Sequence, residues 1–69
     1  MKVTYDREAD AMYIAFRDVR VDKTSHVQPG IILDYGADGE IVGLEILWAS
    51  QRMEQPRVVE YAETSQAHL

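Results

Sequence analysis

Two runs of alternating apolar residues flank the pair Asp38-Gly39, and this pattern constrains the chain more than any other feature it has. Ile31-Ile32-Leu33-Asp34-Tyr35 leads into Gly36-Ala37-Asp38-Gly39, and a second run continues through to Trp48. Asp-Gly between such runs is a strong short-range hairpin signal, because both residues tolerate positive φ. On the pleat of the second run, Val42, Leu44, Ile46 and Trp48 share one face, and Ile41, Gly43, Glu45 and Leu47 the other.

The same reasoning extends towards the N-terminus. In residues 2–6, Val3 and Tyr5 alternate with Lys2, Thr4 and Asp6, the mark of a half-buried strand. Residues 11–17 are apolar at six successive positions, with Met12, Ile14 and Phe16 on one face and Ala11, Tyr13 and Ala15 on the other. A charged stretch from Arg17 to Lys23 turns the chain, and Thr24 to Val27 begins another extended segment, kinked at Pro29-Gly30. Ser50 is placed to cap a helix starting at Gln51, which Pro56 ends or redirects. Residues 57–62 are ambiguous between helix and strand, and the last few, from Thr64, have the composition of a frayed end.

Sixty-nine residues make one domain, near the lower size limit of independent stability. Chains this small need a staple, and the absence of cysteine excludes disulfides, thiolate metal sites and a cysteine nucleophile. Strands 11–17 and 41–48 carry apolar residues on both sides, which a sheet wetted on one face would not. One short helix can cover only part of one face. A second copy of the chain, or a small protein partner, is therefore expected to cover the remainder.

Seven basic against twelve acidic residues leave a net charge of −5. A polyanion is bound by clustered Lys and Arg that displace counterions, so nucleic acid is not expected as a primary ligand. An acidic surface suits a basic protein instead. The first residues enter a strand pattern with no apolar leader, and no run approaches the roughly 20 residues needed to cross a bilayer. The expectation is a cytoplasmic protein without a membrane partner.

Asp6, Glu8 and Asp10 have the i, i+2, i+4 spacing of calcium-loop ligands. Residue 11, however, is Ala where such a loop needs Gly, and Arg17 stands where its bidentate Glu would be. The favoured reading is a hairpin corner at Arg7-Glu8-Ala9, with Asp6 and Asp10 binding backbone N–H groups of the turn. Asp34, Asp38 and Glu40 around the second turn are read the same way. Glu45 interrupts an apolar strand, so it needs a donor such as Arg17, Arg20, Tyr13 or a neighbouring subunit. It is read as an ion-pair or interface residue, with a general base as the alternative. Trp48 is read as anchoring the sheet to the helix, with a buried interface aromatic as the alternative. Trp48 and Tyr13 thus join Glu45 as candidate interface residues, and Asp10, Asp34 and Glu45 are the candidate metal ligands. His26 and His68 lie far apart, and Ser25 and His26 point to opposite faces of a strand, so neither a zinc site nor a Ser-His pair is expected. No cofactor is called for.

Tyr5-Asp6, Ala9-Asp10-Ala11 with Tyr13, Pro29-Gly30, Asp34-Tyr35 before the Asp38-Gly39 turn, and Gly43-Leu44-Glu45-Ile46-Leu47 with Ala49-Ser50 together resemble the DUF2283 family. This family of small prokaryotic proteins has no established function, and the resemblance covers residues 2 to about 53. It implies a small antiparallel sheet with a C-terminal helix and supplies no catalytic residues. Some relatives stand beside small toxin-like proteins, which implies an antitoxin or partner role. The combined expectation is an α+β domain over residues 1–55. It has an antiparallel sheet of about four strands in two hairpins, a short C-terminal helix, and a helical or frayed tail over 56–69. It is expected to act as a non-catalytic interaction module, an antitoxin-like partner of a basic protein. The alternative is a small metal- or ligand-binding protein, or a weak hydrolase, using the clustered carboxylates.

Overall fold

Alternating β-branched and aromatic residues become strands at five places in the computed structural model, which describes residues 1–65. The strands are β1 (Lys2–Asp6), β2 (Ala11–Ala15), β3 (Lys23–Gln28), β4 (Ile31–Tyr35) and β5 (Ile41–Leu47), followed by one short helix, α1 (Ala49–Arg52). All neighbours run antiparallel in a single sheet of order β1-β2-β5-β4-β3. The count is five strands, not about four, and the molecule is mostly β. β3 falls on the extended segment expected at Thr24 to Val27 and lies outside the two expected hairpins, and its residues Lys-Thr-Ser-His-Val-Gln are exposed throughout. An edge strand of this kind is held by its ladder to β4 and carries little apolar signal of its own. No helix among the described residues is long and apolar enough to cross a membrane.

The register sorts side chains into rows, since residues directly opposite one another share a face. Val3, Ile14, Leu44 and Leu33 form one row across β1, β2, β5 and β4, ending at Ser25 on β3. Tyr5, Met12, Ile46 and Ile31 form the next on the same face. The opposite face carries Lys2, Ala15, Gly43, Asp34 and Thr24 in one row, and Thr4, Tyr13, Glu45, Ile32 and His26 in the other. One face is thus aliphatic, and the other mixes apolar with polar and charged groups.

The turns follow local chemistry. At the β1–β2 corner the Asp6 carboxylate accepts the backbone N–H groups of Glu8 (3.0 Å) and Ala9 (3.1 Å), as expected of an Asx turn. Asp10, by contrast, binds Ser50 of α1. Pro29-Gly30 is a tight β3–β4 turn with Gly30 at φ 81°, and the kink beside it is a register shift between His26 and Gln28. In the β4–β5 hairpin Gly39 takes φ 83°, whereas Asp38 does not enter the left-handed region. The connection is a longer loop closed by Gly36 N–H to Glu40 O (2.9 Å), with Asp38 Oδ1 accepting the Glu40 N–H (3.0 Å). β2 stops at Ala15, short of the expected 17, because the N–H groups of Phe16 and Arg17 both point at Val42 O and end the regular ladder.

The C-terminal helix departs furthest from expectation. It begins at Ala49 rather than Gln51, and its N-cap is Trp48, in left-handed geometry (φ 53°) with no side-chain cap. Ser50 lies inside the helix, and its hydroxyl is committed elsewhere. The helix ends at Arg52, well before Pro56, and residues 57–62 form neither helix nor strand. Residues 66–69, and with them His68, lie outside the described residues.

Met12, Val42 and Ala49 are the buried apolar residues among those described. Four helical residues span only about 6 Å, against roughly 24 Å across five strands, so α1 cannot roof the sheet. The fold is one layer, and most of its aliphatic row residues are only partly buried.

Candidate functional site

Two polar clusters sit on this scaffold. The first lies on the mixed face. Tyr13 and Gly43 occupy adjoining rows, and the missing side chain of Gly43 leaves room for the phenol to lie over the backbone. A Cβ at Gly43 would overlap the Tyr13 hydroxyl and stand 3.0 Å from the carbonyl oxygen of Ile14. Lying across this gap, Tyr13 donates its O–H to Asp34 Oδ2 at 2.8 Å, and Thr24 Oγ1 donates to Asp34 Oδ1, also at 2.8 Å. The three residues come from β2, β4 and β3, with β5 passing beneath through Gly43. Burial pushes the Tyr13 phenol up to about 12, helped by its bond to Asp34 and by the charges of Asp34 and Glu45. Tyr13 is therefore a neutral donor through the physiological range, not a phenolate base, and both Asp34 oxygens already accept hydroxyl protons.

Glu45 stands directly between Tyr13 on β2 and Ile32 on β4. Two of the donors expected for it are engaged elsewhere. Tyr13 is on Asp34, and Arg17 pairs with Asp38 at 2.9 Å across the sheet end. An open groove of about 480 Å³ runs along this face past Thr4, Ala11, Tyr13 and Glu45.

The second cluster joins the β1–β2 corner to α1. Asp10 adopts φ 52°, and its carboxylate accepts three protons: from Tyr5 O–H (2.7 Å), Ser50 O–H (2.7 Å) and Ser50 N–H (2.9 Å). Its backbone oxygen also takes the N–H of Ala49 at 2.9 Å. The bonds from Ser50, followed by the one from Tyr5, hold the Asp10 carboxyl below its ordinary value, while the Tyr5 phenol is raised mainly by the same bond. Asp10 thus clamps distant parts of the chain together and does not simply cap its own turn. Beside it, the Trp48 ring packs over Gly30, where a Cβ would come within 2.8 Å of the ring. Arg52 lies 5.5 Å from the Trp48 ring centroid and donates to the Pro29 carbonyl. Trp48 accordingly anchors α1 to the β3–β4 turn, although its side chain remains 47% exposed.

Asp10, Asp34 and Glu45 do not converge. Among the described residues there is no group of three or more His, Cys, Asp or Glu that could hold a metal ion. The geometry brings together other partners instead: Asp10 with Ser50 and Tyr5, and Asp34 with Tyr13 and Thr24. Thr24, Tyr5 and the role of Gly43 were not singled out from the sequence. The available signal was Gly43 itself, since glycine inside a strand marks a close approach.

The clamp and the Tyr13–Asp34–Thr24 cluster lie within residues 2–50, and a family model described as a protein of unknown function, DUF2283, matches that same span. The chain belongs to the DUF2283 family. The matched span holds all five strands and ends on Ser50, the residue clamped by Asp10. Residues beyond it lie outside the family match. No curated protein and no solved structure matches the chain.

Proposed function

We propose that this chain is a non-catalytic interaction module that binds a small basic protein, in the manner of an antitoxin. The observation that carries this reading is the segment after α1. Val58, Val59 and Tyr61 are 57%, 59% and 81% exposed there, among Glu54, Glu60 and Glu63. Exposed apolar side chains on an irregular acidic segment suit coupled ordering on a partner, with Tyr61 as an anchor and the carboxylates steering a basic surface. The net charge of −5 acts in the same direction. Of the three carboxylates that the catalytic alternative would use, Asp10 is committed to Ser50 and Tyr5 and Asp34 to Tyr13 and Thr24, and Glu45 does not converge with Asp10 and Asp34 on one metal-binding group among the described residues.

The test is affinity capture of the full chain at native level in its own host, alongside a Val58→Ser, Val59→Ser, Tyr61→Ser variant, with bound proteins identified by mass spectrometry. Stoichiometric recovery of one basic protein by the parent chain, and its loss with the variant, supports the module. Recovery of nothing but the chain's own copies sinks the dedicated partner.

A further inference from the structure

We infer that the aliphatic face of the sheet, centred on Ile14, Leu33 and Leu44, seats a second copy of this chain in a face-to-face β-sandwich. The inference is independent of partner binding by the tail. Ile14, Leu33 and Leu44 sit in one row across β2, β4 and β5, and each is only partly buried in the single chain. No Lys, Arg, Asp or Glu stands in either aliphatic row across β1, β2, β5 and β4. That absence selects the occupant. Two copies that each carry −5 repel wherever their carboxylates meet, so an uncharged patch is where they can approach at least cost. A basic partner would gain nothing electrostatic from the same patch.

The opposite face fails this criterion. It carries Asp34 and Glu45, and apposing two copies there would bury like charges against one another. Tyr13 and Glu45, expected at an interface from the sequence, are on that face; the inferred seat is the other one.

Size sets the strength of the contact. Four strands about 4.8 Å apart and five residues long give an envelope of roughly 19 by 17 Å, and sheets stack about 10 Å apart. Two such faces come to roughly 650 Å² in plan, with Met12 already buried within the chain, so the contact falls below the roughly 1,200 Å² of standard interfaces and in the weak, transient class. The expected dimer is therefore one that dissociates on dilution. Its formation would supply the second layer that α1 is too short to provide.

Sedimentation of the full chain over roughly 1–100 μM, a range that brackets modest affinity, is the experiment. A monomer–dimer equilibrium is expected, with Leu33→Glu raising its Kd by about tenfold or more. His26→Gln, at an exposed position of the opposite face, should leave that Kd unchanged. A monomer throughout the range, or a dimer indifferent to Leu33→Glu, overturns the inference. Should Leu33→Glu fail to fold, the parent chain decides. In its NMR spectrum a soluble gadolinium probe should broaden the Val58 methyls while sparing those of Ile14, Leu33 and Leu44. Equal broadening of all of them overturns it.

Discussion

The carboxylate of Asp10 holds both the side-chain O–H of Ser50, at 2.7 Å, and its backbone N–H, at 2.9 Å, across forty residues of chain. Tyr5 adds a third proton from β1. A β-turn is thereby fastened to the first turn of α1, next to Ala49, which is fully buried. Both hinge points of this clamp, Asp10 and Trp48, occupy left-handed backbone, costly for Trp and of order 1–3 kcal/mol where surrounding contacts impose it. The clamp is among the contacts that hold them there.

Asp10→Asn isolates the charge, because Asn also tolerates left-handed geometry. The variant should melt at lower temperature than the parent at neutral pH. The native carboxyl is held below its unfolded value near 3.8, so its stabilisation is present above that pH and is lost as pH falls through the native value. Melting curves from neutral pH down to about pH 2 should therefore show the gap between parent and variant closing at the acid end. A gap independent of pH would mean that the charge is not what Ser50 and Tyr5 recognise.

Tyr13→Phe removes the donor to Asp34 Oδ2 and should cost about 1–2 kcal/mol in urea unfolding at pH 7. The native phenol titrates at about 12 against an ordinary 10.0, so stabilisation by Tyr13 is complete below pH 10.0 and is lost as pH rises towards about 12. Phenolate absorbance should show this directly, with a late-titrating tyrosine in the parent that the variant lacks.

Gly43→Ala places a methyl where the Tyr13 ring lies, with the Ile14 carbonyl behind it. It should destabilise by about 1–3 kcal/mol, as overpacking does. In a Tyr13→Ala background the same change should cost much less, because the clash is with the phenol. A double-mutant cycle with no coupling between the two positions would show that the ring does not rest on Gly43 in solution.

Replacing Val58, Val59 and Tyr61 together by Ser should leave the folded sheet within about 0.5 kcal/mol of the parent, since all three side chains are more than half exposed. Thermal melting of the two proteins side by side checks this. A large loss would mean that the segment packs against the sheet, and the capture experiment would then need a different variant.

Strand positions were legible because alternation is a local property. Val3 and Tyr5, Met12 and Ile14, and Leu44 and Ile46 each declare a face within a few residues. The Asp6 turn was legible for the same reason, as its donors are two and three residues away. β3 was weakly marked because an exposed edge strand needs no apolar face. The helix start was misplaced because Ser50 resembles a cap locally, whereas its hydroxyl is claimed by a carboxylate forty residues earlier. Glu45 looked in need of a donor, yet two of those expected for it, Arg17 and Tyr13, are paired with Asp38 and Asp34.

By itself the sequence determined an acidic chain without cysteine, rich in strands with two marked hairpins, and with apolar residues on both sides of its central strands. Those are matters of composition and of neighbours a few residues apart. Only the tertiary structure decided that Gly43 makes room for Tyr13, that Asp34 binds Thr24 and Tyr13, and that Asp10 closes on Ser50. It also separated an aliphatic face from a charged one. Each of these depends on strand order and register, and strand pairing brings together residues whose separation along the chain carries no trace of their contact.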